Sequence, residues 1–296
     1  MPSFSSRVKA EMCKVQSPRR SAVLAEAYGV LLYGNTFSVR EIRVITGNQA
    51  FAERLPKLMQ RAFGVSFDEI SDAADHRRSF VITAGDKIAK IFAAYGYEAG
   101  GVLSHHINLS VLEEADCAAA FIRGAFLAGG SITDPAKGYH LELVTDHRSV
   151  SRETVSILQE MGFEPKTASR SGHYITYFKQ SEVIEDLFTL LGAPLSAMEI
   201  MNAKVEKDMR NAVNRRVNCD NANADKIVSA AIGQLEAIRR LDIAALPDKL
   251  QETALLRIAN PELSLSDLAR LSDPPVTKSC MSHRLKRLES LAGEGD

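Results

Sequence analysis

The 296-residue sequence contains no tryptophan, only four cysteines and almost no net charge. The cysteines lie far apart, and no C-x-x-C pair or nearby histidine completes a zinc spacing, so we expect reduced and mostly buried thiols. The 36 basic and 37 acidic side chains nearly cancel. The charge of the whole chain therefore neither requires nor excludes a nucleic-acid partner, and its distribution along the chain must decide.

Long apolar segments are also missing. The longest stretch without Asp, Glu, Lys or Arg is residues 99–112, which contains Gly, Ser, Asn and two His. This stretch is too short and too polar to span a bilayer. The amino-terminal segment carries charges at Arg7, Lys9, Glu11 and Lys14, where a signal peptide needs an unbroken apolar region. We therefore expect a cytoplasmic protein without a membrane partner.

Two parts of the sequence repeat the same order of predicted elements. Each part begins with an apolar helix and continues with alternating strands, amphipathic helices and glycine turns. Gly29 and Gly34 of the first part correspond to Gly124 and Gly129 of the second, each pair 95 residues apart. The sequence thus predicts an α+β domain built from duplicated αββαββα units, at residues of about 18–96 and 116–192.

The paired glycines lie in the segments YGVLLYGN and RGAFLAGGSI. Small residues allow two helix backbones to approach closely, so one interpretation is simply two core helices. On this interpretation Gly124→Leu should force the helices apart, whereas Gly124→Ala should cost less than Gly124→Leu and should stabilise slightly if the contact is loose. Both segments also resemble the LAGLIDADG motif of homing endonucleases, whose two helices pack side by side between pseudo-symmetric halves.

The resemblance implies that the nuclease chemistry is lost. In the active nucleases the eighth motif position is an acid that holds a divalent metal, which prefers hard oxygen ligands. Aligning Gly29 and Gly124 on the motif glycine places Gly34 and Gly129 at these positions. Asp134 follows the second motif, but the first half offers no equivalent acid. We therefore expect no catalytic residue, metal or cofactor.

The C-terminal residues show a helix-turn-helix pattern. Ser264 and Thr277 are suitable N-caps for two helices separated by a Ser-Asp-Pro-Pro stretch. The second helix has an apolar stripe that we expect to be buried, formed by Met281, Leu285, Leu288 and Ala292. From Pro275 to Leu288 the sequence contains four basic residues and no acid.

A recognition helix presents its first residues to base edges, while basic residues further along neutralise phosphates. This rule assigns Lys278, Ser279, Ser282 and His283 to the groove, and Arg284, Lys286 and Arg287 to the DNA backbone. The alternative is a solvated helix face without a partner, with His283 as an ordinary surface residue.

Between the two predicted domains, residues 209–226 read MRNAVNRRVNCDNANADK. We predict two long helices here, over residues 199–219 and 225–241. Asparagine is a poor helix former, yet Asn211, Asn214 and Asn218 share one face with Arg215. Two roles are open: hydrogen bonds that clamp the domains together, or contact with nucleic acid, aided by Arg210 and Arg216.

Four long segments along the chain are SFSSRVKAEMC, RGAFLAGGSITDP, RNAVNRRVNCDNAN and SLSDLARL followed by VTKSCMSHRLKRL. In this order they resemble the WhiA family of bacterial regulators of sporulation septation and cell division. The resemblance implies a degenerate homing-endonuclease scaffold joined to a helix-turn-helix like the promoter-reading domain of sigma factors. The expected organisation is a scaffold at residues 1–196, a helical connector at 197–246 and an all-helical reader at 247–296.

These observations predict a sequence-specific, non-enzymatic protein that binds double-stranded DNA and is associated with the nucleoid. The resemblance links it to transcription, cell division, chromosome segregation and sporulation, with a second transcription regulator or RNA polymerase as a further candidate partner. Two alternatives stay open: a protein-interaction adaptor built on the degenerate scaffold, and a residual metal-dependent nuclease whose acids converge from elsewhere.

Overall fold

The computed structural model of the chain describes residues 2–73, 75, 77–97, 105–114 and 116–293. Part of the uncharged stretch 99–112 and the last three residues of the expected reader, 294–296, lie outside these residues. The chain forms two compact units, Met1–Lys207 and Asp208–Asp296. No helix within the described ranges is long and apolar enough to cross a membrane.

The first unit contains two four-stranded antiparallel sheets with the same strand order, β1-β2-β4-β3 and β5-β6-β8-β7. The strands are β1 (Thr36–Phe37), β2 (Ile42–Thr46), β3 (Glu69–Ala73), β4 (Arg77–Ile82), β5 (Gly130–Ile132), β6 (Leu141–Thr145), β7 (Lys166–Arg170) and β8 (His173–Phe178). The helices are α1 (Phe4–Met12), α2 (Arg20–Leu32), α3 (Gln49–Phe63), α4 (Gly85–Ala94), α5 (Cys117–Gly129), α6 (Arg148–Glu160) and α7 (Ser181–Leu191). The identical topology confirms the predicted duplicated α+β architecture.

The central strands alternate between buried and half-buried side chains, as expected when helices cover one face of a sheet. In β2 the buried positions are Ile42, Val44 and Thr46, and in β6 they are Leu141, Leu143 and Thr145. The register places Val44 opposite Phe80 of β4. Each sheet thereby contributes its inner face to one continuous core.

The two motif helices, α2 and α5, pack against each other at the centre of this core. A Cβ atom added at Gly29 would lie 2.0 Å from the carbonyl oxygen of Phe121, and one added at Gly124 would lie 2.0 Å from that of Glu26. Real Cβ atoms do not approach backbone this closely. The expectation that alanine is tolerated at Gly124 is therefore wrong, because the helices touch through their backbones.

The structure contains one helix that the sequence analysis missed and joins two that it separated. Helix α1 buries Phe4, Val8 and Met12 at the i, i+4, i+8 spacing of a helix face. Helix α8 (Pro194–Arg239) runs through the segment where a break was expected, because that segment contains asparagines but neither proline nor glycine. The Glu11 carboxylate of α1 accepts hydrogen bonds from the first amides of α8, at Leu195 (2.7 Å) and Ser196 (2.9 Å).

The second unit has its own small core, to which the end of α8 contributes Ile238. Its other helices are α9 (Asp248–Ala259), α10 (Leu265–Leu271) and α11 (Lys278–Gly293). The stripe expected to be buried on α11 is buried at all four positions: Met281, Leu285, Leu288 and Ala292. An all-helical second unit with a helix-turn-helix region is thus confirmed.

Candidate nucleic-acid interface

Both helices of the helix-turn-helix, α10 and α11, begin at a side-chain N-cap, as the sequence predicts. The hydroxyl of Ser264 accepts a hydrogen bond from the amide of Asp267 at 3.3 Å, and that of Thr277 accepts one from the amide of Cys280 at 3.2 Å. Side-chain caps satisfy amides that have no partner within the helix. Thr277 therefore sets the position at which α11 begins, and with it the face that α11 presents.

The outer face of α11 collects most of the residues expected to contact DNA. Lys278, Ser279, His283, Lys286 and Arg287 are exposed, and Ser282 is half-buried. The buried stripe occupies the opposite side of the helix. Because the sequence from 275 to 288 has no acid, the first three turns of this outer face are cationic. The acid of α11, Glu289, is exposed near the end of the helix.

Arg284 has a different environment from the other basic residues of α11. Its side chain is only 14% exposed, and its Nη1 lies 3.3 Å from an Oε2 of Glu252 on α9. The other Glu252 oxygen accepts hydrogen bonds from the hydroxyl of Ser272 at 2.7 Å and the amide of Asp273 at 2.8 Å. Glu252 thus connects α9, the turn and α11, and Arg284 supports the helix from within.

Electrostatics favours the ionised form of Glu252. The hydrogen bond from Ser272, followed by that from the Asp273 amide and the charge of Arg284, lowers the pKa of this carboxyl. No local pattern in the sequence marks Glu252, because its partners are 20 to 32 residues away along the chain.

Glu252→Ala is expected to loosen the turn and the start of α11. Hydrogen bonds to a charged group contribute roughly 1.5–3 kcal/mol each when well shielded, and less at this half-exposed site. We therefore expect amides of residues 272–288 to exchange at least about tenfold faster in hydrogen–deuterium exchange, equivalent to about 1.4 kcal/mol. Because the folded pKa is lowered, this contribution is complete above the ordinary glutamate pKa and disappears as pH falls through the lowered value.

Glu262→Ala serves as the matched control for this experiment, since Glu262 is an exposed acid of the same unit. It should leave exchange in residues 272–288 unchanged. Equal exchange in both variants would show that Glu252 does not hold the turn.

The polar face expected between the domains lies on α8. All six of its predicted contact residues are exposed: Arg210, Asn211, Asn214, Arg215, Arg216 and Asn218. Arg215 Nε donates to the carbonyl oxygen of Asn211 at 3.3 Å, a contact within the helix itself. Their side chains are therefore accessible to an external partner.

The positions at which an active homing endonuclease binds its metal cannot do so here. Gly34 and Gly129 carry no oxygen ligand on a side chain. A Cβ atom at Gly129 would also lie 2.5 Å from the carbonyl oxygen of Val144, so the backbone leaves no room for an acid. Asp134 is exposed, and its carboxylate accepts a hydrogen bond from the amide of Ala136 at 2.9 Å. The residues present do not fit a divalent metal at the motif.

Two family models match parts of the chain. The family model described as "WhiA LAGLIDADG-like domain" matches residues 118–210, and that described as "WhiA C-terminal HTH domain" matches residues 213–292. A protein of Ruminiclostridium cellulolyticum named "Probable cell division protein WhiA" is 37% identical, with 98% of this chain and 97% of the relative aligned. A protein of the same name from Clostridium perfringens is 34% identical, with 99% and 98% covered.

Among solved structures, one described as full-length DUF199/WhiA from "Thermatoga maritima" aligns with 99% of both chains, with a TM-score of 0.61 and 24% identity. A second, the N-terminal LAGLIDADG domain of DUF199/WhiA, aligns with 65% of this chain and 94% of its own length, with a TM-score of 0.52 and 18% identity. At these identities the likeness concerns the fold.

Proposed function

Since the chain belongs to the WhiA family of cell division proteins, we propose that it is a sequence-specific DNA-binding protein that regulates transcription linked to cell division, chromosome segregation and sporulation. The observation that carries this proposal is the outer face of α11, which is cationic, has no acid from Lys278 to Leu288 and is presented by a capped helix. Double-stranded DNA is the partner that fits such a face.

The residues of this face divide into two roles by their place along α11. Lys278, Ser279 and His283 lie at its first turns and are proposed to contact base edges, with Ser282 at the edge of the contact. Lys286 and Arg287 lie further along and are proposed to bind phosphates. Arg284 is left out of the contacts because Glu252 holds it inside the unit. The exposed asparagines and arginines of α8 are proposed as additional backbone contacts.

The protein is further proposed to act at the nucleoid, together with a second transcription regulator or RNA polymerase. The resemblance to the WhiA family, which implies a helix-turn-helix like the promoter-reading domain of sigma factors, supports this proposal. Genome-wide crosslinking of the wild type beside a variant lacking residues 247–296 tests it. Loss of localised crosslinking in the variant is expected. If instead the variant retained both its sites and its cellular function, the scaffold would be the essential part and the protein an adaptor.

Ser279→Ala and His283→Ala are expected to change the preference among DNA sequences more than the overall affinity. A direct contact to a base edge contributes roughly 1–3 kcal/mol of discrimination against the wrong base. Selection from randomised duplexes should therefore show relaxed preference at one or two positions. Lys249→Ala, at an exposed residue of α9, is the control. Wild-type selectivity in both α11 variants would show that this face does not read bases.

We also propose that the protein has no nuclease activity, because Gly34 and Gly129 cannot supply the metal ligands. Supercoiled plasmid is expected to stay intact with millimolar Mg²⁺ or Mn²⁺. Metal-dependent nicking that survives repurification and disappears in Asp134→Ala would contradict this expectation.

A further inference from the structure

A buried triad of charges in the first unit contains one more cation than anion. Glu26 of α2 is 1% exposed, and its two carboxylate oxygens accept hydrogen bonds from Arg54 at 2.7 and 2.9 Å. Arg123 of α5 donates two more to the same carboxylate, both at 3.1 Å. The two arginines also donate to neutral oxygens, the carbonyls of Cys13 and Leu191 and the hydroxyl of Ser17. One positive charge is thus left uncompensated in a poorly solvated place, which is costly unless an anion is near.

The Arg54 side of this triad borders a cavity of about 700 Å³, lined by residues of α1, α2 and α3 and of the segment after α1. Three more cations, Lys14, Lys57 and Arg61, line it, against one carboxylate, that of Glu53. Glu53 is exposed and accepts a hydrogen bond from Gln49 at 3.0 Å. Burial raises the pKa of the Cys13 thiol to about 12, so this lining residue adds no negative charge.

The cavity also has an apolar wall. Val23 of α2 and Leu58 of α3 are buried side chains that line it. Cavities of roughly 300–1,000 Å³ with apolar walls and a few convergent polar groups are typical of sites for small molecules. The cations of α3 fall at positions 54, 57 and 61, the i, i+3, i+7 spacing of a single helix face. They therefore point to the same side of α3.

We propose that this cavity binds the phosphate groups of a small phosphorylated metabolite, whose uncharged part packs against Val23 and Leu58. Guanidinium and ammonium groups are the usual protein partners of phosphate. The phosphate would lie beside Arg54 and supply the negative charge that the triad lacks. This site goes beyond DNA binding through α11, since it lies wholly within the first unit. DNA presents the same phosphate groups, and the experiment separates the two sources.

Isothermal titration calorimetry with the full-length protein tests the site, using inorganic pyrophosphate, ADP and adenosine as probes. Pyrophosphate and ADP are expected to bind, and adenosine is expected to bind at least tenfold more weakly than ADP. Lys14→Glu combined with Lys57→Glu should weaken ADP binding at least tenfold, because both lysines line the cavity. Lys90→Glu makes the same kind of charge change at an exposed position of α4 outside the cavity and should change ADP affinity less than twofold.

Three outcomes would overturn the proposal. In the first, neither pyrophosphate nor ADP binds the wild type. In the second, the double variant binds ADP as tightly as the wild type does. In the third, pyrophosphate and ADP fail to bind and, in addition, a short DNA duplex loses affinity in the double variant, which would make the cavity wall a DNA contact. If the double variant melts at a lower temperature than the Lys90→Glu control, the variant Lys14→Gln with Lys57→Gln is used instead. An ADP affinity equal to that of the wild type in this glutamine variant would also overturn the proposal.

Discussion

Gly124→Ala is expected to lower the free energy of unfolding of the first unit by about 2 kcal/mol or more. The added methyl group would meet the carbonyl oxygen of Glu26 at 2.0 Å and the amide nitrogen of Val30 at 3.0 Å. Backbone atoms cannot rotate away as a side chain can, so α2 and α5 must separate. Overpacking typically costs about 1–3 kcal/mol, occasionally more, and exceeds the gain of about 1 kcal/mol in helix propensity.

Thermal unfolding of the full-length protein checks this expectation. A loss of about 2 kcal/mol should lower the melting temperature of the first unit by roughly 5 °C or more. Gly85→Ala is the control, because no atom lies within 4 Å of a Cβ built at Gly85. It should leave the melting temperature unchanged or slightly higher. Equal melting of Gly124→Ala and Gly85→Ala would mean that the two motif helices are farther apart than the structure has them.

Reversing two charges on the outer face of α11, with Lys278→Glu and Lys286→Glu, is expected to weaken DNA binding roughly 100-fold or more near physiological salt. Of the two, Lys286 is the proposed phosphate contact, and its loss should also lower the slope of log affinity against log salt by about one unit. Both side chains are exposed, and the stability of the second unit should not change. Titrations at several salt concentrations measure both effects.

The control carries the same number of reversed charges on another surface of the second unit. Arg239 and Lys249 are exposed cations on α8 and α9 rather than on α11. Arg239→Glu with Lys249→Glu should reduce affinity far less, through the general field of the protein alone. Comparable losses of DNA affinity in the two double variants would indicate binding by net charge and would contradict a specific role of α11.

Periodicity explains why the helix-turn-helix could be predicted so closely. A buried stripe such as that of Met281 and Leu285 repeats every three to four residues, and a cap such as Thr277 lies within one turn of its partner. Both signals are local in sequence. The bond of Glu252 to Arg284 is not, because α9 and α11 are brought together only by the folded core. The sequence therefore predicts the outer face of α11 but not the support behind it.

Sequence patterns likewise do not determine the distance between two helices. The glycine repeat indicates that α2 and α5 cross closely, but whether Gly124 tolerates a methyl group depends on the distance between the two backbones, which places an added Cβ 2.0 Å from a carbonyl oxygen. Two other features, helix α1 and the basic face of α3, could have been predicted from the spacing of their residues in the sequence. Phe4, Val8 and Met12 show the helical spacing of α1. The basic face of α3 was also visible, whereas its excess charge depends on which arginines share Glu26.

The Glu26 triad makes the two halves of the duplicated unit non-interchangeable. Since Gly29 corresponds to Gly124, Glu26 corresponds to Phe121, and Tyr28 to Arg123. Two copies of the second half meeting through their motif helices would bury two guanidinium groups with no carboxylate between them. Leaving a buried charge without its partner typically costs roughly 3–5 kcal/mol. A fragment carrying the second repeat alone is therefore expected not to rebuild the domain by self-association.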